Sequence, residues 1–347
     1  MLTREDTEFL ALLVHRGLIV RDVAERVFPE LQKGGSLDEL LAHHTGLSPE
    51  TIAKWRRTRG GEIPEIPGYE VLGKAGSGGT ADVFRARDKK SNRVIALKVL
   101  NIESTRNGRT RDAFVKEARL LEKLRHPGLV EGYGVAKCGS TYFARMEFVE
   151  GHTLQELLDD GHRFDEKAAL RVVLGAAEVM MHLCAQDILH RDLKPGNIML
   201  TSSGALKLID LGFAARASEA AASDTTAGTV EYLSPEACRG VAADARSDIY
   251  SLGVTLFQLV VGRLPFASSD DREVMRMKVM ESLKSPELKS RGLSHHLHYF
   301  IEKMMAKDAG ARYQSWQELI DDIRQQIEGR ESLDFEAEIR NRATRRR

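Results

Sequence analysis

His190-Arg191-Asp192-Leu193-Lys194-Pro195-Gly196-Asn197, followed by Asp210-Leu211-Gly212, places four chemically useful side chains within nineteen residues. Asp192 can take a proton, Lys194 carries a cation, and Asn197 and Asp210 are hard oxygen donors for a divalent metal. That set suits transfer of a phosphoryl group from ATP to a hydroxyl. The transferring group is anionic, so a protein mainly positions it and neutralises its charge. Asp192 would accept or orient the proton of the attacking hydroxyl. Two protein oxygens completed by waters suit Mg²⁺, which rarely receives a full protein cage. A second feature is Gly76-Ser77-Gly78-Gly79-Thr80-Ala81-Asp82-Val83, between two strand-like stretches. Small residues there let backbone N–H groups approach phosphates closely. A P-loop would need a helix after the glycines, and here a strand follows. Lys98 lies inside the apolar run Val94 to Leu100, where burying an unpaired ammonium would be costly.

The elements that must position these residues follow from periodicity. Residues 1–58 predict a small all-α module: Phe9, Leu10, Leu12, Leu13, Val20, Val23 and Val27 recur at helical spacing, as do Leu37, Leu40, Leu41, Ile52 and Trp55. Its halves are alike, each a helix, a Gly-Leu break and a second helix. Ser48-Pro49 predicts an N-cap with proline in the first turn. His15, His43 and His44 read as surface residues near helix ends. Residues 59–67 form a Gly/Pro-punctuated linker. Residues 68–150 then turn to strands, including Tyr69–Leu72, Asp82–Arg87 and Val94–Leu100, with one helix from Arg111 to Leu124. Residues 151–329 are mostly helical, and 330–347 form a charged tail that reads as a solvated terminus.

The catalytic-loop phrase, the glycine loop and their spacings resemble the eukaryotic-type (Hanks-type) Ser/Thr protein kinase family, and the wording of the loop is similar to bacterial members. The resemblance covers about residues 68–328. It implies an α+β, bilobal fold: a β-rich N-lobe and an α-rich C-lobe, here preceded by the helical module. It implies that ATP is held by Gly76, Ser77, Gly78, Gly79, Thr80 and Ala81, with Val83 covering the adenine. Ala96 and Met199 would sandwich the base, Met146 would back the pocket, and Glu147 and Val149 would offer backbone groups. Lys98 would hold the α- and β-phosphates and Glu117, nineteen residues on, would aim it. Asp192 would be the base, Lys194 would stabilise the γ-phosphate, and Asn197 and Asp210 would hold Mg²⁺. Lys194 matches the Ser/Thr type. Ala81 stands where the family has a third glycine, and Leu211 where phenylalanine is usual. Arg145 replaces an apolar residue and should point away from Met146. Asp210 to Glu236 would be the activation loop, with Thr225, Thr226 and Ser223 as candidate phosphosites and Thr229 bonded to Asp192 and Lys194. Asp248 would bond backbone N–H groups of the catalytic loop, and Glu236 and Arg312 would form a buried ion pair.

Bulk properties exclude several classes. Of 347 residues, 42% are hydrophobic and 29% charged, and the formal net charge is zero. Nothing global therefore points to nucleic acid or an anionic membrane. No apolar run reaches the roughly 20 residues of a membrane span, and Ile249 to Val261 reads as a buried helix. Arg4, Glu5, Asp6 and Glu8 do not suit a secretory signal. Three scattered cysteines suit a reducing compartment, so the expectation is a cytoplasmic enzyme acting on protein Ser/Thr hydroxyls. The alternative is a pseudokinase scaffold whose helical module recruits a partner. Retention of Lys98, Glu117, Asp192, Asn197 and Asp210 argues for the enzyme.

Overall fold

The computed structural model describes residues 4–58, 63–216, 228–281, 283 and 293–328. Part of the linker, the candidate phosphosites Ser223, Thr225 and Thr226, and the charged tail lie outside the described residues. The chain divides into two compact units, one of residues 1–107 with 136–148, the other of 108–135 with 149–347.

The first unit begins with four helices: α1 (Arg4–His15), α2 (Arg21–Gln32), α3 (Leu37–Thr45) and α4 (Pro49–Arg57). Their apolar stripes bury Phe9, Leu10, Leu13, Ile19, Val23, Val27, Leu31, Leu37, Leu41 and Ile52 in one core, with Trp55 packed against it. α1 and α3 both stop at a glycine in the left-handed region, Gly17 (φ 63°) and Gly46 (φ 71°). Ser48 caps α4 by accepting from the Thr51 N–H at 3.2 Å. The periodic reading misplaces one residue: Val20 is exposed at the start of α2, and Ile19 is buried in its stead. The Gly17-Leu18 break shifts the phase of the following helix by one position.

Arg56 ties this module together. It donates from Nη2 to Asp6 at 2.5 Å and from Nε to Asp38 at 2.7 Å, with its guanidinium 4.9 Å from the Phe9 ring centre. One side chain of α4 thus links α1 and α3. Arg56→Ala is expected to lower the module's stability by about 1 kcal/mol, a value discounted because the side chain is partly exposed. Urea unfolding followed by Trp55 fluorescence, in a Trp316→Phe background, would read the loss as a lower midpoint.

A five-stranded sheet runs in the order β1-β2-β3-β5-β4, from β1 (Tyr69–Ser77), β2 (Ala81–Asp88), β3 (Val94–Leu100), β4 (Gly132–Cys138) and β5 (Thr141–Glu147), and its β1–β2, β2–β3 and β3–β5 pairs are antiparallel. A short helix, α5 (Ile102–Arg106), follows β3. Register sets the faces. Val83, Lys98 and Ala144 stand in one row, and Arg85, Ala96 and Met146 in another on the same face. Arg145 pairs opposite Leu97 on the other face, as alternation predicts.

The second unit opens with α6 (Gly108–Lys123), which begins three residues before the predicted start and buries Phe114, Glu117, Ala118 and Leu121. It continues with β6 (Gly151–Thr153), α7 (Leu154–Asp159), α8 (Glu166–Cys184), β7 (Ile188–Leu189), β8 (Ile198–Thr201), β9 (Leu206–Leu208) and β10 (Ala215–Arg216). The remaining α-helices among the described residues are α9 (Pro235–Cys238), α10 (Ala245–Val261), α11 (Asp271–Met280), α12 (His295–Met304) and α13 (Trp316–Ile327). α10 is buried from Ser247 to Val261 and forms the centre of this unit. Among the described residues no helix is long and apolar enough to cross a membrane. Antiparallel strands followed by a helical unit give the α+β class expected.

Candidate active site

The catalytic-loop residues sit between β7 and β8 on a backbone fixed from below. The carboxylate of Asp248, in the first turn of α10, accepts from the His190 N–H at 2.9 Å and the Arg191 N–H at 2.8 Å. Burial pushes the Asp248 carboxyl up from the usual carboxylate range, and His190 together with the two N–H donors opposes that push. Arg191 itself has φ 66°, a left-handed conformation that a non-glycine side chain disfavours. The two hydrogen bonds to Asp248 hold it there. His190, 1% exposed, accepts the Asp192 N–H through Nδ1 at 3.2 Å, which places its ring proton on Nε2.

Asp192 is 5% exposed and is surrounded by donors. Its Oδ1 accepts from the Thr229 N–H at 2.9 Å and the Thr229 hydroxyl at 2.8 Å. Its Oδ2 faces Lys194 Nζ at 2.8 Å and Asn197 Nδ2 at 3.0 Å. Lys194 also donates to the Thr229 hydroxyl. The sequence-predicted Asp192, Lys194, Asn197 and Thr229 are therefore one hydrogen-bonded cluster. Gly228 makes the approach possible: at φ 123°, any Cβ there would run into the Arg191 carbonyl oxygen. Gly228→Ala is expected to lower turnover by about 10²-fold, the scale of a 1 Å misplacement near reacting atoms. Steady-state phosphorylation rates, with circular dichroism as the fold control, would test this.

Strand register pairs the first candidate metal ligand, Asn197, with the residue that precedes the second, Asp210. β8 and β9 pair antiparallel with Ile198 opposite Leu208, and the Ile209 N–H donates to the Asn197 carbonyl at 3.0 Å. The Asn197 amide nitrogen is committed to Asp192, donating also to its backbone carbonyl at 2.8 Å, so its side-chain oxygen is turned the other way. Asp210 Oδ1 accepts from the Gly212 N–H at 2.7 Å. A Cβ on Gly212 would lie 3.1 Å from Asp210 Oδ1 and 3.6 Å from Glu117 Oε2, so Glu117 of α6 borders the same loop. An amide oxygen and a carboxylate are both hard donors, the kind taken by a small divalent cation that keeps most of its waters. No cluster of three or more His, Cys, Asp or Glu with metal-binding geometry occurs among the described residues. Leu211 is buried at 1% exposure, as an apolar plug would be. Met199 is half-buried on β8 opposite Lys207, and Val149 is half-buried just before β6.

The nucleotide-binding candidates of the first unit are ordered by the sheet. Gly76 and Ser77 end β1 opposite Val83 and Asp82, and the Gly78 N–H closes the turn on the Ala81 carbonyl at 2.9 Å. A Cβ on Gly76 or Gly79 would meet nothing within 4 Å, so the backbone there can be approached closely. Asn101, which the sequence reading missed, donates from Nδ2 to the Gly79 carbonyl at 2.9 Å and from its N–H to the Thr80 carbonyl at 3.0 Å. It also caps α5, accepting from the Ser104 N–H at 2.8 Å. An asparagine before a short helix signals only the cap. Ala96 and Met146 are buried, and Val83, Lys98 and Glu147 are half-buried.

Glu236 and Arg312 form a bidentate pair with both distances 2.7 Å. The Ser247 hydroxyl donates to the same carboxylate at 2.7 Å, a contact invisible in sequence because it spans eleven residues across a turn. Burial opposes ionisation of Glu236, and the Arg312 bonds outweigh it, holding the carboxyl down to about 2.

The protein kinase domain model matches residues 69–323. Serine/threonine-protein kinase PknB of Mycobacterium tuberculosis is 34% identical over 263 residues, covering 74% of this chain and 42% of the relative. Serine/threonine-protein kinase PrkC of Bacillus subtilis is 32% identical over 258 residues, covering 74% and 40%. The chain spans about two fifths of the length of these curated relatives. A match over most of the chain, together with a loop in which Asp192, Lys194 and Asn197 are bonded as one cluster, places this chain in the protein kinase family.

Proposed function

We propose that this chain is an ATP- and Mg²⁺-dependent protein kinase that transfers the γ-phosphoryl group to Ser or Thr hydroxyls of proteins. The observation that carries this reading is the Asp192 cluster, where one carboxylate is held by Thr229, Lys194 and Asn197. Asp192 takes the proton of the acceptor hydroxyl as its oxygen bonds the γ-phosphorus and the bond from that phosphorus to the bridging oxygen breaks, releasing ADP. Lys194, already within reach of Asp192, places its charge against the transferring group. Asn197 and Asp210 would hold Mg²⁺, which when bound neutralises charge on the phosphates. Gly76 to Ala81 cradle the phosphates, and Val83, Ala96, Met146, Glu147, Val149 and Met199 bind the base. Lys98 and Glu117 keep the roles that the resemblance gives them.

The domain division at residues 58, 67, 150 and 329, a cytoplasmic location, autophosphorylation within residues 217–227 and partner recruitment by the helical module belong to the same proposal. The relatives, named as serine/threonine kinases, support the acceptor class. The test is transfer from γ-labelled ATP to casein or myelin basic protein, with and without Mg²⁺, followed by phosphoamino-acid analysis. Phosphoserine and phosphothreonine that disappear on chelation are expected. Phosphotyrosine alone, or nucleotide binding with no phosphoprotein, would overturn the reading.

A further inference from the structure

Lys278, on α11, is 1% exposed, and no motif marks it. Its ammonium donates to the backbone carbonyls of Glu231 at 2.7 Å and Leu233 at 2.9 Å. The rings of Tyr250 and Phe266 lie 5.1 and 6.0 Å from it. Carbonyl oxygens and aromatic faces are what satisfies a buried ammonium. The carbonyl between those two, that of Tyr232, accepts from the Ser251 hydroxyl at 2.8 Å, and the Tyr232 hydroxyl donates to Gln258 at 2.6 Å. Three consecutive carbonyls of one loop are thus held from beneath by side chains of α10 and α11. The same loop begins at Thr229, whose N–H and hydroxyl are on the Asp192 carboxylate. One end is anchored at the candidate base and the other at Lys278.

We propose that Lys278 is a positioning residue for the protein acceptor: by holding the Glu231 and Leu233 carbonyls inward, it fixes the shape of the Thr229–Ser234 segment against which the acceptor chain lies. This inference rests on the kinase reading above. A lysine suits the task because its three donors radiate from one atom, so two adjacent carbonyls and a ring face are met at once. A hydroxyl such as that of Ser251 can hold only one carbonyl. Lys278 bonds the Thr229–Ser234 segment and faces two aromatic rings, so its effect falls on the acceptor.

A pH signature follows. Burial pushes the Lys278 ammonium down to about 7, against the opposing influence of Cys238 on α9 and Glu231 in the loop itself. From α10 the group facing it is Tyr250, which also lies under Arg312 at 5.0 Å. Loss of the proton replaces charge-assisted bonds to the carbonyls by neutral ones, which are roughly half as strong. Acceptor binding therefore weakens as pH rises through about 7.

The test compares the full chain with Lys278→Met and Lys278→Arg, varying myelin basic protein and ATP separately between about pH 6 and 8.5. Lys278→Met is expected to raise the acceptor KM about tenfold or more, the scale of one lost charge-assisted bond, with kcat and the ATP KM changed less than about threefold. Lys278→Arg, which keeps donors that do not titrate, should recover part of the acceptor KM and flatten its pH profile. An unchanged acceptor KM in a folded Lys278→Met, or an equal rise in both KM values, would overturn the inference. Should that variant lack a cooperative melt, the wild-type profile decides: an acceptor KM flat from pH 6 to 8.5 would overturn it. Absence of transfer by the wild type to any protein would refute the kinase reading itself, so the two failures are distinguishable.

Discussion

Asp192→Asn should lower kcat by about 10²–10⁴-fold, the contribution of a positioned general base, with the ATP KM changed only slightly. The carboxylate receives four donor groups, two from Thr229 and one each from Lys194 and Asn197. Asparagine keeps the shape of the side chain and loses the ability to accept a proton. One of its two polar ends also becomes an NH₂, which faces donors at whichever end it occupies. The substitution therefore removes the base and disturbs its neighbours, while Asp248 still holds the loop backbone at His190 and Arg191. Initial rates on a generic acceptor, with ATP varied, check this. A variant within tenfold of wild type would show that Asp192 is not the base.

The second large effect is on stability. Arg312→Ala is expected to cost about 3 kcal/mol, the lower end for a broken buried pair, because it strands a half-buried carboxylate whose partner is fully buried. Arg312 is 2% exposed and bonds Glu236 twice, and it also donates to the carbonyls of Ala306 at 2.7 Å and Arg246 at 3.0 Å. Removing it leaves Glu236 with the Ser247 hydroxyl and leaves those carbonyls without their donor. The melting temperature of the full chain should fall on the order of 10 °C. The pH arm has a definite sign. The folded-state pKa of Glu236 is held down to about 2 from 4.5, so the pair stabilises above about pH 4.5 and the stability is lost as pH falls toward 2. Melting of wild type and Glu236→Gln between pH 7 and 3 should converge as pH falls. A constant gap over that range would contradict the assignment.

The catalytic loop was legible in the sequence because its chemistry constrains residue type and spacing at once. Asp192, Lys194, Asn197 and Thr229 are close in space partly because most of them are close in the chain. The α10 helix was legible from apolar continuity, and the helical module from its repeated Gly-Leu break. What escaped were single polar side chains that act across the fold. Arg56, Asn101 and Lys278 sit among helical or turn residues whose local pattern reads as surface, and the most distant partner of each lies 22 to 50 residues away. Periodicity reports which face a residue occupies, and carries no information on which distant backbone that face meets. Lys278 offered one faint signal, its spacing of four from the buried Val274 on the same helix. The slip from Ile19 to Val20 has a similar origin: a break of unknown geometry sets the phase of the helix after it.

The most direct test of the central claim is mass-spectrometric mapping of phosphate on the purified full chain and on a generic acceptor after incubation with ATP and Mg²⁺, for wild type and Asp192→Asn side by side. Phosphoserine and phosphothreonine in the wild-type reaction, and none above background with the variant, are the predicted result. Equal labelling in both reactions would remove Asp192 from the chemistry, and bound ATP with no labelling in either would contradict the kinase activity proposed for this chain.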